Sequence, residues 1–450
     1  MNPADTIAAV ATPPGAGGLA VLRLSGKQAL AIADRCLRSS AGRSPSSWTP
    51  RTAVFGEIHR ANTRIDEVVI TVFRGPKSFT GEDTVEIACH GGLLVTRRAL
   101  EALLAAGARP AEPGEFTCRA FLNGRMDLAQ AEAVADLIHA RTDRALGTAR
   151  AQLSGALSRR IEGLRDQLMS VLAHIEAHID FPDEDIAPDT TAVLSSKLAL
   201  ALEGIEGLLK TAGEGRMLRQ GVRTALVGRP NAGKSSLLNR LLGHERAIVS
   251  PVAGTTRDTL EEVAQVRGIP LVLVDTAGLR ESEDVVEREG IRRSRAAADE
   301  AELILHVVDA SVPWCSDEDA LAAAWTGKAR IRVANKCDLP GAHEVPGAVR
   351  VSCHTGAGLD DLERAIEERL LGGGMGVGDD GVSIAVRHQQ VLERAREAVI
   401  RTRSGLEDQA TLELVAFELR VALTALGEVV GKTSVDDLLD SIFSQFCLGK

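Results

Sequence analysis

The run Gly228-Arg229-Pro230-Asn231-Ala232-Gly233-Lys234-Ser235 spaces two glycines, a lysine and a hydroxyl as G-x-x-x-x-G-K-[ST]. Those residue types at that spacing bind polyphosphate. Backbone N–H groups of Asn231 to Ser235 can wrap a phosphate at a helix N-terminus, Lys234 neutralises charge on the β and γ phosphates, and the Ser235 hydroxyl ligates Mg²⁺. The motif needs a strand before it and a helix after it. The apolar run Thr224-Ala225-Leu226-Val227 predicts the strand, and Leu237-Leu238-Asn239-Arg240-Leu241-Leu242 predicts the helix.

Four further clusters fall where a nucleotide domain needs them. Asp275-Thr276-Ala277-Gly278 follows an apolar run; Asp275 can hold Mg²⁺ through water, and the Gly278 N–H can sense a γ-phosphate. In Asn335-Lys336-Cys337-Asp338 the Asp338 carboxylate can accept from the N1–H and N2–H₂ edge of guanine, an edge adenine lacks, which selects GTP over ATP. Ser352-Cys353 would back the base with main-chain contacts, and Gly254-Thr255-Thr256-Arg257-Asp258 offers Thr256 as a second hydroxyl on Mg²⁺. The order of the set points to GTP hydrolysis. Its water-positioning group is unusual, because Leu279 stands where Ras-type enzymes carry Gln. The Asn231 side-chain carbonyl could hold a monovalent cation beside the β and γ phosphates, where an arginine finger would act. The acidic stretch Glu281-Ser282-Glu283-Asp284-Val285-Val286-Glu287 offers a general base or water anchor, although a solvated loop accounts for most of these acids.

Positioning these residues takes several domains, which 450 residues can supply. Residues 1–120 read as mixed α/β, with β-branched runs at Glu67–Phe73 and Thr84–Ile87 and a helix at Leu94–Ala106. Apolar residues at Leu153, Leu157, Ile161, Leu164, Leu168, Val171, Ile175 and Ile179 predict one long amphipathic helix, ended at Phe181-Pro182-Asp183, inside a helical segment spanning 121–220. A second helix covers Leu194–Leu209. Residues 221–372 alternate strand and helix, with buried-type strands at Thr224–Val227, Leu271–Val274, Leu303–Val308, Ile331–Ala334 and Val349–Val351. That is a doubly wound α/β domain with ligands at the carboxyl ends of its strands. After the glycines of Gly372–Gly378, residues 373–450 return to helix at Val391–Ile400, Thr411–Leu426 and Val435–Phe446. The fold class is therefore α/β plus α: an N-terminal α/β domain, a helical domain, and a nucleotide domain inserted into it. An insertion suits a switch, since loop changes at the nucleotide can push on helices on both sides.

Composition narrows the partners. A net charge of −10 and only 3% aromatic residues argue against a broad basic platform or stacking surface for nucleic acid, so any RNA substrate needs a local patch or a partner protein. Seven scattered cysteines without C-x-x-C argue against a disulfide framework or a thiolate zinc site. Met1-Asn2-Pro3-Ala4-Asp5 has neither a basic nor an apolar leader region, and no run of about 18 apolar residues occurs, which predicts a cytoplasmic protein without a membrane segment.

With these residues in view, the chain resembles the MnmE (TrmE) family of bacterial tRNA-modifying GTPases. The resemblance rests on ATPPGAGG-L-A-V-L-R at Ala11–Arg23, SFTGED at Ser78–Asp83, HGG at His90–Gly92, PGEF..RAFLNGR at Pro113–Arg125, the GTPase clusters, and a final C-x-G-K. It implies an N-terminal tetrahydrofolate-binding and dimerisation domain, a TrmE-type G domain, a homodimer, and a heterotetramer with the FAD-containing partner MnmG. Together they would install a carboxymethylaminomethyl (or aminomethyl) group at C5 of the wobble uridine, position 34, of certain tRNAs. The one-carbon donor would be 5,10-methylene- or 5-formyl-tetrahydrofolate, and chemistry at the level of an iminium favours methylene. By motif, GTP contacts fall on Asn231, Ala232, Gly233, Lys234, Ser235 and Ser236, on Ser250, Pro251, Val252, Ala253, Gly254, Thr255 and Thr256, on Asp275, Thr276, Ala277 and Gly278, and on Asn335, Lys336, Asp338, Ser352 and Cys353. Asn231, Ser250, Val252 and Thr255 would surround K⁺, which stimulates hydrolysis across paired G domains, and Ser235 and Thr256 would bind Mg²⁺. Glu287 matches the family's catalytic glutamate, acting through bridging water. Folate contacts would come from Arg23, Glu86, Arg125 and Lys450; family members often carry Lys at the Arg125 position, and a guanidinium keeps the charge while changing the geometry.

Cys447 sits in Phe446-Cys447-Leu448-Gly449-Lys450, and as a flexible, partly exposed thiol near Lys450 its pKa could be depressed. It would then act as nucleophile or acid toward the uridine ring and take no part in GTP hydrolysis. The alternative is a ribosome-assembly switch similar to Era or Der, which share the Asn-bearing phosphate loop. An Era-like chain needs a basic C-terminal RNA module and a Der-like chain a second G domain, whereas this sequence shows one set of GTPase clusters and a helical tail.

Overall fold

The computed structural model describes residues 5–39, 42–180, 191–244, 262–274, 297–314, 325, 327–372, 381–433, 439, 442–444, 446 and 449. The chain separates into two compact units, one holding the described residues of Met1–Ala135 and Gly427–Lys450, the other the described residues from Asp136 to Leu426.

In the first unit, β1 (Ile7–Val10), β2 (Leu19–Ser25), β3 (Leu37–Ser39), β4 (Ala53–Arg60), β5 (Thr63–Phe73), β6 (Thr84–His90) and β7 (Arg109–Pro110) form one sheet ordered β3-β4-β5-β6-β2-β1-β7. Neighbours are antiparallel except β1 and β7. Period-two alternation decides which face is covered: Val68, Ile70 and Val72 of β5 point into the core, while Glu67 and Val69 stay outside. The helices α1 (Ala29–Cys36) and α2 (Leu93–Ala105) cover the apolar face, burying Leu22, Leu24, Ile32, Ile58, Ile87 and Leu103 between them and the sheet. A shorter helix, α3 (Glu115–Leu122), follows β7, and α4 (Leu128–His139) comes next.

The second unit takes up the end of α4 from Asp136 and continues with α5 (Asp143–Leu153), α6 (Ala156–Asp180), α7 (Thr191–Lys210) and α8 (Ala212–Gln220). One long helix through Leu153 was expected; the structure breaks it at Ser154-Gly155. Gly155 takes a left-handed φ of +83° and closes α5, so the apolar periodicity runs across a turn that only glycine makes cheaply. Beyond α8 comes a six-stranded sheet of β8 (Val222–Val227), β9 (Glu262–Val266), β10 (Ile269–Leu273), β11 (Leu303–Asp309), β12 (Ala329–Asn335) and β13 (Ala348–Arg350), ordered β13-β12-β11-β8-β10-β9. All pairs are parallel except β9 with β10. The sheet carries α9 (Lys234–His244) and α10 (Leu359–Leu371), after which α11 (Val386–Glu407) and α12 (Leu412–Val430) follow. Because α11 packs on α7, helices from both sides of the sheet in sequence form one bundle, and the α/β domain is an insertion into it. The two crossings are tied by Arg219: Nε donates to Asp136 Oδ2 at 2.7 Å, and Nη2 donates to Gln152 Oε1 at 3.1 Å and to Ser383 O at 3.4 Å.

A buried charge network holds the first unit. The Glu115 carboxylate is fully buried and accepts from Arg109 at 2.7 and 3.1 Å, from Arg119 at 2.8 Å and from the Glu112 N–H at 2.9 Å. Arg119 continues to Glu82 at 3.3 Å, and Glu82 accepts from Ser25 Oγ at 2.8 Å. Burial raises the proton affinity of Glu115, but Arg109, the Glu112 amide and Arg119 more than reverse it, so its pKa lies below the ordinary 4.5. Glu115→Gln leaves two guanidinia facing a neutral group and is expected to cost about 3–5 kcal/mol, read from urea unfolding at pH 7. Because the folded pKa is depressed, this contribution is fully present above pH 4.5 and is lost as pH falls through the lower folded value. The gap between wild type and variant should therefore narrow on acidification.

Candidate nucleotide site

β8 runs straight into the phosphate loop, and α9 starts at Lys234. Close neighbours dictate the loop's glycines. A Cβ on Gly228 would lie 2.1 Å from Val307 O, and one on Gly233 would lie 2.0 Å from Asn335 Nδ2. Asn231, at the exposed crest, takes a left-handed φ of 62°. Ser235 and Ser236 are exposed in the first turn of α9, where the helix dipole favours an anion. The Lys234 ammonium donates to Gly228 O at 2.9 Å and Arg229 O at 2.8 Å, which holds its charge inside the loop.

The second half of the site lies at the carboxyl ends of β12 and β13, the same end of the sheet at which β8 opens into the phosphate loop. Asn335 ends β12 and is 2% exposed. Its Nδ2 donates to Ala232 O at 3.0 Å, and its Oδ1 accepts from the Cys353 N–H at 3.1 Å. One carboxamide thus ties the phosphate loop to the loop after β13. The Cys353 N–H, expected to back a base, donates to Asn335. Lys336 takes a left-handed φ of 64° and places its ammonium 2.6 Å from Asp309 Oδ2 at the end of β11. Burial would raise the Asp309 pKa, but Lys336 and the Ser311 hydroxyl and amide hold it below the ordinary carboxylate value.

Asp338 is exposed, and a hydrogen bond from Ser352 lowers its pKa, keeping an anion where a guanine edge would be read. Ser352 itself is fully buried and also accepts from the Thr355 N–H at 3.0 Å. Burial pushes the Cys353 thiol up more than Arg240 lowers it. Arg240, on α9, donates to Cys353 O and His354 O, both at 2.7 Å, so the phosphate-loop helix also grips the base loop. Neither Arg240 nor Asp309 stood out in the sequence; an acid closing a buried strand was the one signal for Asp309. Ser250, Pro251, Val252, Ala253, Gly254, Thr255, Thr256, Asp275, Thr276, Ala277, Gly278, Glu287, Cys447 and Lys450 lie outside the described residues.

In the first unit, Arg23 and Glu86 are cross-strand partners on β2 and β6. Arg23 Nε and Nη2 donate to Glu86 Oε1 at 3.0 and 2.8 Å, and its Nη1 faces Gly449 O at 3.5 Å. The guanidinium also lies over the rings of Phe79 and Phe116, 5.2 and 5.6 Å from their centroids, two partners the sequence did not reveal. Arg125 is exposed at the turn after α3, beside Gly81, and no described hydrogen bond joins it to the Arg23–Glu86 pair.

Comparison with known proteins adds an independent finding. Residues 128–447 match the family model described as the MnmE helical domain, and residues 6–125 match that of the GTP-binding protein TrmE N-terminus. The chain is similar to the tRNA modification GTPase MnmE of Akkermansia muciniphila, 50% identical with 100% of each chain covered. It is similar to the protein of the same name from Geobacillus thermodenitrificans, 45% identical with 100% of each covered. Among solved structures, Aquifex aeolicus Era is 28% identical over 39% of this chain and 65% of that one, with a TM-score of 0.26.

Asp338→Asn turns an acceptor pair into a mixed donor and acceptor. It should weaken binding of a fluorescent guanine nucleotide by at least about a hundredfold and shift preference toward xanthosine triphosphate, whose C2 carbonyl accepts where guanine donates. Competition titrations with the two triphosphates check this.

Proposed function

The chain belongs to the MnmE family, and from that premise we propose that it hydrolyses GTP to support modification of the wobble uridine of tRNA. The observation that carries the reading is the Asp338 carboxylate, set by Ser352 on a frame that Asn335 ties to the phosphate loop. Such a frame reads a guanine edge and a polyphosphate together. Triphosphate oxygens entering the loop exchange the carbonyl contacts of Lys234 for charge-assisted ones, and the amides of Asn231 to Ser235 take the remaining charge. Ser235 and Thr256 would hold Mg²⁺, and Asn231, Ser250, Val252 and Thr255 would hold K⁺; when bound, these ions would supply positive charge against the phosphates. Glu287 orients the attacking water through a bridging water, in place of the Gln that Leu279 replaces. Hydrolysis proceeds fastest when the G domains of two chains pair.

The modification half pairs this chain, as a homodimer, with the FAD-containing partner MnmG in a heterotetramer in the cytoplasm. A tetrahydrofolate, when bound, supplies the one-carbon unit from which the carboxymethylaminomethyl or aminomethyl group at C5 of uridine 34 is built. The Arg23–Glu86 pair suits it. Both guanidinium bonds go to Glu86 Oε1, and no described residue donates to Oε2, which leaves that oxygen for a pterin donor edge. Arg23, Arg125 and Lys450 supply charge for the anionic tail, and Cys447 acts on the uridine ring.

Nucleoside mass spectrometry of bulk tRNA, from a bacterial strain lacking the activity and rescued with this chain, tests the reading. C5-modified wobble uridine should return with wild type and not with Cys447→Ser, while both keep GTP turnover. A second measurement concerns the cation. Hydrolysis should be faster in K⁺ than in Na⁺ at equal ionic strength, with the advantage reduced in Asn231→Ala; equal rates in both salts would remove the paired-domain mechanism.

A further inference from the structure

The motif Pro113–Arg125 contributes only Arg125 to the proposed folate contacts, yet its other residues touch the chain's own last segment. Leaving α12, the chain turns at Gly431, whose φ is +78° and where a Cβ would lie 2.7 Å from Phe121 Cε2 on α3. At the opposite end of α3, Gly114 has a φ of +68°, and a Cβ there would stand 2.5 Å from Phe443 O and 3.1 Å from Phe446 Cβ. Phe443 is fully buried, its ring centroid lies 5.4 Å from that of Phe446, and the Phe446 N–H donates to Phe443 O at 3.1 Å. Gly449, with a φ of +89°, lies against the end of β1, where a Cβ would be 2.5 Å from Val10 O and 2.7 Å from Ala11 Cα. Its carbonyl is the one that Arg23 faces.

We propose that α3 is a cradle that fixes the register of Phe443, Phe446 and Gly449 against the first unit's sheet, making Gly114 and Gly449 positioning residues for the uridine modification. The inference rests on the functional reading above, in which Cys447 serves that step; Phe446 and Gly449, the seated residues, flank it in sequence. Its physical content is that the crowding atoms at Gly114 and Gly449 include backbone, which yields far less readily than the end of a flexible side chain. A methyl group at either seat must therefore displace the segment itself.

Hydrogen exchange by mass spectrometry on the full chain, together with tRNA modification in the presence of MnmG, tests the cradle. Gly114→Ala should speed exchange in the peptide containing Phe443 to Gly449 and lower modification roughly a hundredfold, the scale on which a displacement of about 1 Å acts. GTP turnover should be unchanged. Gly124→Ala is the matched control, because Gly124 has a φ of +67° at the other end of α3 and nothing within 4 Å of its Cβ position. It carries the same backbone strain without the crowding and should leave exchange in that peptide as in wild type. If Gly114→Ala does not fold, Phe443→Ala, which removes the seated ring, carries the same two readouts. Lost modification with wild-type exchange, faster exchange with full modification, or equal loosening by Gly124→Ala would each overturn the cradle. A wild-type chain without modification activity overturns the functional reading instead, and the exchange contrast between the two glycine variants then judges the seating alone.

Discussion

One buried carboxamide holds the nucleotide site together. Asn335 donates to the carbonyl of Ala232 and accepts from the amide of Cys353, so two loops far apart in sequence share a single rigid reference. A buried amide leaves a costly unsatisfied group if either partner moves away, which makes the distance between the two loops a fixed property of the fold. Gly233 is forced by the same contact, since any side chain there would occupy the place of the Asn335 amide. Arg240 repeats the tie from the helix side. The phosphate and base halves of the site are thus one mechanical piece before any ligand arrives, and ordering them costs the bound state little.

The first unit solves a different problem. Its sheet buries apolar residues on one face, but α3 is held through ions: Glu115, Arg119, Arg109 and Glu82 are linked in a chain of charge-assisted bonds. Such a network is sensitive to geometry, and a shift at one member leaves another uncompensated in a poorly solvated place. That sensitivity gives α3 a defined position, and Phe116, which follows Glu115, packs its ring beneath Arg23.

Much of this was legible in the sequence wherever local chemistry decides the outcome. The phosphate loop needs its glycines because Gly228 meets the backbone of Val307 and Gly233 meets the Asn335 amide, and glycine at fixed spacing is visible without coordinates. The return from alternating α/β to helix located the inserted domain, and the apolar runs located its parallel strands. What escaped was set by partners distant in sequence. Nothing near Asn335 announces that it reaches Ala232 and Cys353, and nothing near Arg240 points to two carbonyls more than a hundred residues away. The break at Ser154-Gly155 escaped for another reason, since apolar spacing of three and four survives a turn that adds few residues. β9 escaped because Glu262–Val266 is short and carries polar residues, as an antiparallel strand at the edge of a sheet can.

The clasp at Arg219 bears on how such a chain came to be assembled. Its guanidinium joins the residue two positions before Gly221 to the carbonyl of Ser383, so the polypeptide leaves the helical bundle and rejoins it at nearly the same point. A bundle interrupted there is topologically closed, and closing a gap that short asks for little loop entropy. The α/β domain therefore enters and leaves the bundle at one clasp. Grafting another nucleotide domain with adjacent ends into the same gap becomes a matter of matching two neighbouring backbone positions and of replacing the partner that Glu367 of α10 gives Arg144 on α5.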